Sequence, residues 1–289
     1  MTAAAIRPAP DAAFQPWLAR WGLVPDGPAL ATRAARLLPV RQGGAPRMLK
    51  LALVPDEIAG GALLECWGGD GAAPVRAREG NALLMDRAQG AGDLAALARG
   101  GADDEAALIL ARLLRRLHAP RGATPPTLIP LAAWFADLGP AAAREGGVLT
   151  RASAEAEALL AAPEGAPVAL HGDLHHANAL DFGRGDPGGD WRAIDPKGLW
   201  GEAAYDLVPL LLNPDLADPS RRPLAARPGR LKARVALLAP VMGIDPRRLL
   251  RWAAAGAGLS AAWSLADGDR AHAAVALAVA EAALTEMDR

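Results

Sequence analysis

The sequence predicts an α+β chain in which a small strand-rich N-terminal part precedes a larger helical part. Three observations carry this expectation. Short apolar segments punctuated by glycine fill residues 37–87. A Gln89-Gly90-Ala91-Gly92 break follows them. From Asp103 onward the apolar residues recur at helical spacing. At 289 residues the chain can form two lobes that share a cleft. The boundary falls near 87–92, which separates a first unit over 1–88 from a second over 89–289, with the cleft as the expected ligand site.

Residues 11–21 have helical spacing, with Phe14, Trp17, Leu18 and Trp21 on one stripe. Residues 37–40 and 47–54 read as strands joined by a turn at Gly43-Gly44. Pro55-Asp56-Glu57 opens a helix, with Asp56 as a cap or first-turn carboxylate. That helix runs to Trp67 and stops at Gly68-Gly69. Its interior Gly60-Gly61 pair is unfavourable, since each glycine costs about 1 kcal/mol relative to alanine. Residues 73–78 and 82–87 are two further strands around Glu79-Gly80-Asn81.

Asp103–His118 is a strongly amphipathic helix, with Ile109, Leu113 and Leu117 in one row and Leu110 and Leu114 beside it. Proline- and glycine-rich stretches around 119–130 and 139–147 separate later helices. Residues 168–170 lead into a histidine-rich segment, and residues 179–182 and 191–194 form a hairpin around 184–190. From Tyr205 to the end the pattern is helical with proline breaks.

The formal net charge of -1 leaves no electrostatic footprint for nucleic acid. The basic stretch 221–234 is mixed with proline and alanine and lacks aromatic residues, so it reads as a solvated loop and helix face. A single cysteine, Cys66, excludes an internal disulfide and fits a reducing compartment; on its apolar helix it reads as a buried small hydrophobe. The first residues lack the apolar core of a signal peptide, and no segment reaches about 18 uninterrupted apolar residues. A cytoplasmic monomer acting on a small molecule, without nucleic-acid or membrane partners, is the expectation.

Only three lysines and five histidines occur, and three histidines lie between 171 and 176. His171, His175 and His176 could suggest a metal site, but zinc needs a closed N/S set and the remaining histidines are isolated. Phosphoryl transfer fits better. It needs a positioner for the attacking hydroxyl, ligands for magnesium and a cation on the phosphates. In the protein-kinase pattern an aspartate and an asparagine five residues later share one loop, and Asp173 and Asn178 have that spacing. Asp195 follows the predicted hairpin and would add a hard carboxylate ligand for Mg2+, although an Asp-Pro pair alone reads as a turn. Lys50 is centred in the apolar Met48-Leu49-Lys50-Leu51-Ala52 and needs a carboxylate partner, either Glu57 or Glu65. Lys197 contacts a phosphate or is solvated. Trp67, Trp134, Trp191 and Trp263 read as core in a chain with few large side chains.

His171-Gly-Asp-Leu-His-His-Ala-Asn-Ala-Leu-Asp-Phe-Gly183, followed by Ala193-Ile-Asp-Pro-Lys-Gly198, resembles the aminoglycoside phosphotransferases of the streptomycin 6-phosphotransferase branch. Asp56-Glu57, Leu64-Glu-Cys-Trp-Gly-Gly-Asp-Gly-Ala72, Ala82-Leu-Leu-Met-Asp-Arg-Ala88, Gly201-Glu-Ala-Ala-Tyr-Asp206 and Trp263 extend the resemblance over most of the chain from Leu38 onward. It implies a bilobal protein-kinase-like fold with a small β-rich N-lobe and a larger α-helical C-lobe. It also implies an ATP- (or GTP-) and Mg2+-dependent kinase conferring antibiotic resistance by phosphorylating an aminoglycoside hydroxyl, the 6-hydroxyl of streptomycin in that branch.

Carried over residue by residue, Asp173 is the catalytic base, Asn178 and Asp195 are the magnesium ligands, and Lys50 holds the nucleotide phosphates with Glu57 beside it. Asp86 to Ala88 form the hinge whose backbone pairs with adenine. One departure is that only Arg41-Gln42-Gly43-Gly44-Ala45-Pro46, not a glycine-rich loop of the protein-kinase form, precedes Lys50. The guanidinium groups of streptomycin call for carboxylates, with Asp137, Glu202, Asp206, Asp267 and Asp269 as candidates; Asp206 could instead anchor the catalytic loop. Alternatives are a kinase of another small alcohol or antibiotic and a pseudokinase-like binding module.

Overall fold

Gly43 and Gly44 both take positive φ, 55° and 83°, in a two-residue turn that glycine adopts without strain. The turn pins a long hairpin, Ala35–Gln42 against Ala45–Ala52, in which Leu37 faces Lys50 and Gln42 faces Ala45. The structure, a computed structural model, describes residues 12–122, 124–183 and 189–289. The expected helix start at Asp11 and most of the expected turn over 184–190 lie outside the described residues.

The hairpin is the middle of an antiparallel sheet whose path runs Leu23–Pro25, Ala35–Gln42, Ala45–Ala52, Ala82–Asp86, Val75–Glu79, with Leu30–Ala31 also paired to Ala35–Gln42. The two short strands Leu23–Pro25 and Leu30–Ala31 escape sequence reading because three and two residues are too few to establish a period.

Strand alternation sends neighbouring side chains to opposite faces. Leu49 and Leu51 turn to one face, where they pack with Leu38, Val40 and Leu84 against Phe14 and Leu18 of the N-terminal helix. Trp17 and Trp21 cover the same cluster, their rings 4.9 Å apart. Lys50 therefore points to the other face, toward the helix Pro55–Trp67 and the second lobe. That helix starts on Pro55, with Val54 rather than Asp56 at the cap position, and ends on a left-handed Gly68. Asp56 is a first-turn carboxylate.

The lobes meet along a seam of backbone bonds. Ala73 N donates to Ala193 O and Ala193 N to Gly71 O, each at 2.9 Å, and Gly90 N donates to Asp181 O at 2.9 Å. The second lobe is helical, built on Asp103–His118, Gly147–Ala161, Arg230–Met242, Pro246–Ala266 and Arg270–Met287. Pro246–Ala266 is its axis, with Trp252 fully buried. The expected hairpin is present as Ala179–Asp181 paired with Trp191–Ala193. A small sheet orders Ile129–Pro130, Leu199–Gly201 and Val168–Leu170. The basic stretch 221–234 is not wholly a solvated face. Arg234 is fully buried, bonding Asp103 at 2.6 and 3.1 Å and the carbonyls of Leu210, Leu211 and Asn213. A guanidinium whose donors are met in this way can sit in a core. The architecture is α+β, a β-rich lobe followed by a helical one. Among the described residues no helix is long and apolar enough to cross a membrane.

Candidate active site

The segment from His171 to Asn178 leaves the strand Val168–Leu170 and is fastened from beneath by Asp206. Asp206 is fully buried in the short 3-10 helix Ala203–Leu207. It accepts from His171 N at 2.8 Å and Gly172 N at 2.6 Å, and His118 Nε2 lies 2.8 Å from it. A carboxylate with three such partners, bonded at both oxygens, tolerates burial. The His171 ring carries the fastening onward. Its Nδ1 accepts from Asp173 N at 3.2 Å, so the proton lies on Nε2, which donates to Ile194 O at 2.8 Å. One imidazole thus ties the Asp173 loop to the residue before Asp195. Burial pushes its pKa down to about 4, so it is neutral at pH 7. Trp67 stacks on it with centroids 6.2 Å apart. Both ring nitrogens of His171 are engaged within the protein. Among the described residues no group of three His, Cys, Asp or Glu side chains is placed to hold a metal ion.

Asn178 Nδ2 donates to the Asp173 carbonyl at 2.8 Å and reaches its carboxylate at 3.3 Å. Burial raises the Asp173 pKa, Asp195 and Glu57 reinforce the rise, and His175 and Lys197 oppose it. Asp195 has φ 62°, a conformation non-glycine residues rarely take. Burial works to raise its pKa, but Lys50, with Lys197 behind it, holds the carboxyl below the usual range. Asp195 and Asn178 offer hard oxygen donors only, which suits a magnesium ion that keeps water and phosphate ligands.

Lys50 is 4% exposed, and its Nζ contacts both Glu57 and Asp195. The partner on the helix is Glu57. Glu65 instead takes Arg78 Nε at 2.9 Å, two turns further along the same helix. Glu57 also receives Lys197 Nζ at 2.5 Å, so Lys197 is a partly buried, paired side chain rather than a freely solvated one. Although burial works against the charged amine, Glu57 raises its pKa. This double engagement depends on close packing. A Cβ built on Gly60 would lie 1.7 Å from the Pro196 carbonyl oxygen. The Gly60 that weakens the helix locally is what lets Glu57 come down onto Lys50 and Lys197.

At the expected hinge, the Asp86 carboxylate accepts from Arg47 at 2.5 Å and from Arg76 at 2.5 and 2.7 Å. Asp86 N donates to Pro74 O at 2.9 Å, while the Ala88 carbonyl accepts from Gln89 Nε2 at 2.7 Å. The side chain of Asp86 is therefore structural. The Gly43-Gly44 turn is six residues along the strand from Lys50, about 20 Å away. The turn near the lysine is Thr32 to Ala35, because Ala35 pairs with Ala52. Thr32 N donates to Ala35 O and Ala35 N to Thr32 Oγ1, both at 2.9 Å.

Beside Asp173 and Lys197 opens a cavity of about 360 Å3, also lined by Trp134, Trp263, Asp267 and Asp269. Two tryptophans expected in the core are thus cavity walls. Their rings meet edge-on at 5.0 Å, and Trp134 Nε1 donates to Tyr205 Oη at 2.8 Å. Of the carboxylates expected to meet a cationic substrate, Asp267 and Asp269 are here. Asp206 is not, being spent on the loop. Glu202 is not either. It is buried with Arg248 at 2.6 Å to each oxygen, Trp252 Nε1 at 2.9 Å and Glu164 N at 3.1 Å. Asp137 is exposed outside the lining and accepts from Trp263 Nε1 at 3.0 Å.

A lysine-carboxylate pair on a β-rich lobe, an aspartate-asparagine loop beneath it and a cavity beside both define a phosphotransferase of the kinase-like class. The chain belongs to the aminoglycoside/hydroxyurea antibiotic resistance kinase family, whose model matches residues 20–268. It is 54% identical over 250 residues to a streptomycin 3''-kinase of Klebsiella pneumoniae, covering 86% of this chain and 91% of that one. It is 33% identical to a streptomycin 6-kinase of Streptomyces griseus, covering 91% and 85%. Among solved structures, it superposes on an aminoglycoside phosphotransferase APH(4)-Ia variant in ternary complex with AMP-PNP and hygromycin B. The TM-score is 0.66 at 16% identity, covering 94% of this chain and 97% of that one.

Proposed function

We propose that this kinase transfers the γ-phosphoryl group of ATP to a hydroxyl of streptomycin, in the cytoplasm and as a monomer, and so confers resistance to it. The observation that carries the reading is the cavity in which Asp173 shares a wall with Asp267 and Asp269. A hydroxyl nucleophile placed at Asp173 leaves the cationic groups of the same molecule facing carboxylates. The 6-hydroxyl suggested by the sequence motifs has support from relatives near one-third identity. The relative at 54% identity is named for the 3''-position, and that favours the 3''-hydroxyl.

In the mechanism, Asp173 orients the acceptor hydroxyl and takes its proton as the new P–O bond forms, while the bond from the γ-phosphorus to the β,γ-bridging oxygen breaks and ADP leaves. Asn178 holds Asp173 through its carbonyl and carboxylate. Asn178 and Asp195 are the residues that would hold magnesium, which supplies charge neutralisation at the phosphates when bound. Lys50, steadied by Glu57, pairs with the phosphates. The backbone of Asp86 to Ala88 receives adenine. Lys197, beside Asp173 in the cavity wall, adds positive charge where the transferred group passes. The test is turnover of ATP against a panel of aminoglycosides, with the phosphorylated position read by NMR. Turnover with streptomycin and product bearing a 3''-phosphate is expected. Phosphate at the 6-position would overturn the positional part, and no turnover on any aminoglycoside would overturn the acceptor class.

A further inference from the structure

The turn Thr32 to Ala35 carries Arg33, and Arg33 reaches across the cleft. Its Nη1 donates to Asp267 Oδ2 at 2.7 Å and its Nη2 to Asp267 Oδ1 at 3.3 Å. The partners lie on different lobes, 234 residues apart in sequence, and Asp267 is one of the carboxylates lining the cavity beside Asp173. We propose that Arg33 occupies the subsite that receives a guanidinium group of the acceptor, so that acceptor binding displaces Arg33 from Asp267. The proposal rests on the acceptor reading above and deepens it, since it names the cationic group that is recognised.

First, the contact is fork to fork. Two N–H groups of one planar cation meet two oxygens of one carboxylate, which a guanidinium does and a single ammonium cannot reproduce. Asp267 is thus already shaped around the group in question. Second, the pair is exchangeable. Arg33 is 86% exposed and Asp267 50% exposed, and solvated pairs of this kind contribute little to stability. The Arg248–Glu202 pair, with both side chains 6% exposed, has no such freedom. Third, the backbone turn that carries Arg33 is held independently of its guanidinium. The Thr32 side chain accepts from Ala34 N at 3.3 Å and Ala35 N at 2.9 Å, so the turn stays formed when the guanidinium leaves. Trp134 and Trp263 line the same cavity as Asp267.

The experiment separates the subsite from the acceptor. Methylguanidinium and methylammonium are titrated into the full-length wild type, Arg33→Ala and the double variant Arg33→Ala with Asp267→Asn, followed by NMR chemical shifts. Arg33→Ala is expected to bind methylguanidinium about two- to fivefold more tightly than wild type, the range set by the weakness of exposed pairs. Methylammonium should gain less, and the double variant should lose the gain. In steady-state kinetics the KM for streptomycin should fall by the same factor in Arg33→Ala while Asp267→Asn raises it. Equal methylguanidinium affinity in wild type and Arg33→Ala, or a gain that survives Asp267→Asn, would overturn the proposal. If the titrations behave as stated and streptomycin is not phosphorylated, the subsite stands and the acceptor reading falls.

Discussion

Replacing Gly60 and Gly61 by alanine, one at a time, puts the packing of the Pro55–Trp67 helix to a direct test. Both positions are interior to the helix, so each substitution gains about 1 kcal/mol of helix propensity. At Gly61 the new methyl group would meet its nearest neighbours, Arg78 and Leu83, at 3.8 Å, an ordinary contact. Gly61→Ala is therefore expected to stabilise the protein by about 0.5–1 kcal/mol with activity unchanged. At Gly60 the same methyl group would lie 1.7 Å from the Pro196 carbonyl oxygen. Backbone meets backbone, so no side chain can swing away, and the helix must lift from the 195–198 segment by more than an ångström. Overpacking of this kind costs about 1–3 kcal/mol or more, which exceeds the propensity gain. The lift also carries Glu57 away from Lys50 and Lys197. A misplacement of about 1 Å in a phosphate-binding constellation lowers turnover on the order of 100-fold. Urea unfolding and steady-state turnover of the two variants give the comparison. If Gly60→Ala were as stable and as active as Gly61→Ala, the account of how Glu57 is positioned would be wrong.

Further substitutions probe the site itself. Asp173→Ala is expected to leave ATP binding nearly intact, measured by calorimetry, while lowering turnover by about three or more orders of magnitude; unchanged turnover would remove Asp173 from the mechanism. Asp195→Ala should abolish the magnesium dependence of nucleotide binding, and a magnesium titration that matches wild type would contradict that role. Asp206→Asn turns an acceptor of the His171 and Gly172 amides into a group with one donor face, and should cost about 2–3 kcal/mol in urea unfolding. His171 gives a pH signature. Its folded pKa, about 4, lies below the unfolded value near 6.5, so between those values the unfolded state binds more protons. Stability from this group is complete above about pH 6.5 and falls as pH drops toward 4, by on the order of 3 kcal/mol. His171→Gln should flatten that part of the pH profile, and a slope identical to wild type would show that the imidazole is not buried neutral.

Local pattern made much of this protein legible. The two-glycine turn, the strands beside it and the amphipathic run from Asp103 to His118 stand in the structure close to where spacing puts them. Each is decided by periodicity and turn chemistry within a dozen residues. The loop holding Asp173 and Asn178 is likewise contiguous, so its five-residue spacing was visible as such. The turn beside Lys50 was not, because Thr32 to Ala35 has no glycine and adjoins Lys50 through strand pairing.

What the sequence by itself determined was the order of elements and a candidate set of residues for phosphoryl transfer: Lys50, Asp173, Asn178 and Asp195. Which carboxylate meets which cation was decided only by tertiary structure. Glu57 and Glu65 sit two turns apart on one helix, and only the docking of that helix at Gly60 gives Lys50 to the first and Arg78 to the second. Glu202 and Asp206 look as available in sequence as Asp267, yet burial against Arg248 and the His171 loop consumes them. The physical reason is the range of the forces involved. Backbone preference and periodicity act between near neighbours, whereas the pairing of charges depends on distances that exist only after the lobes have packed.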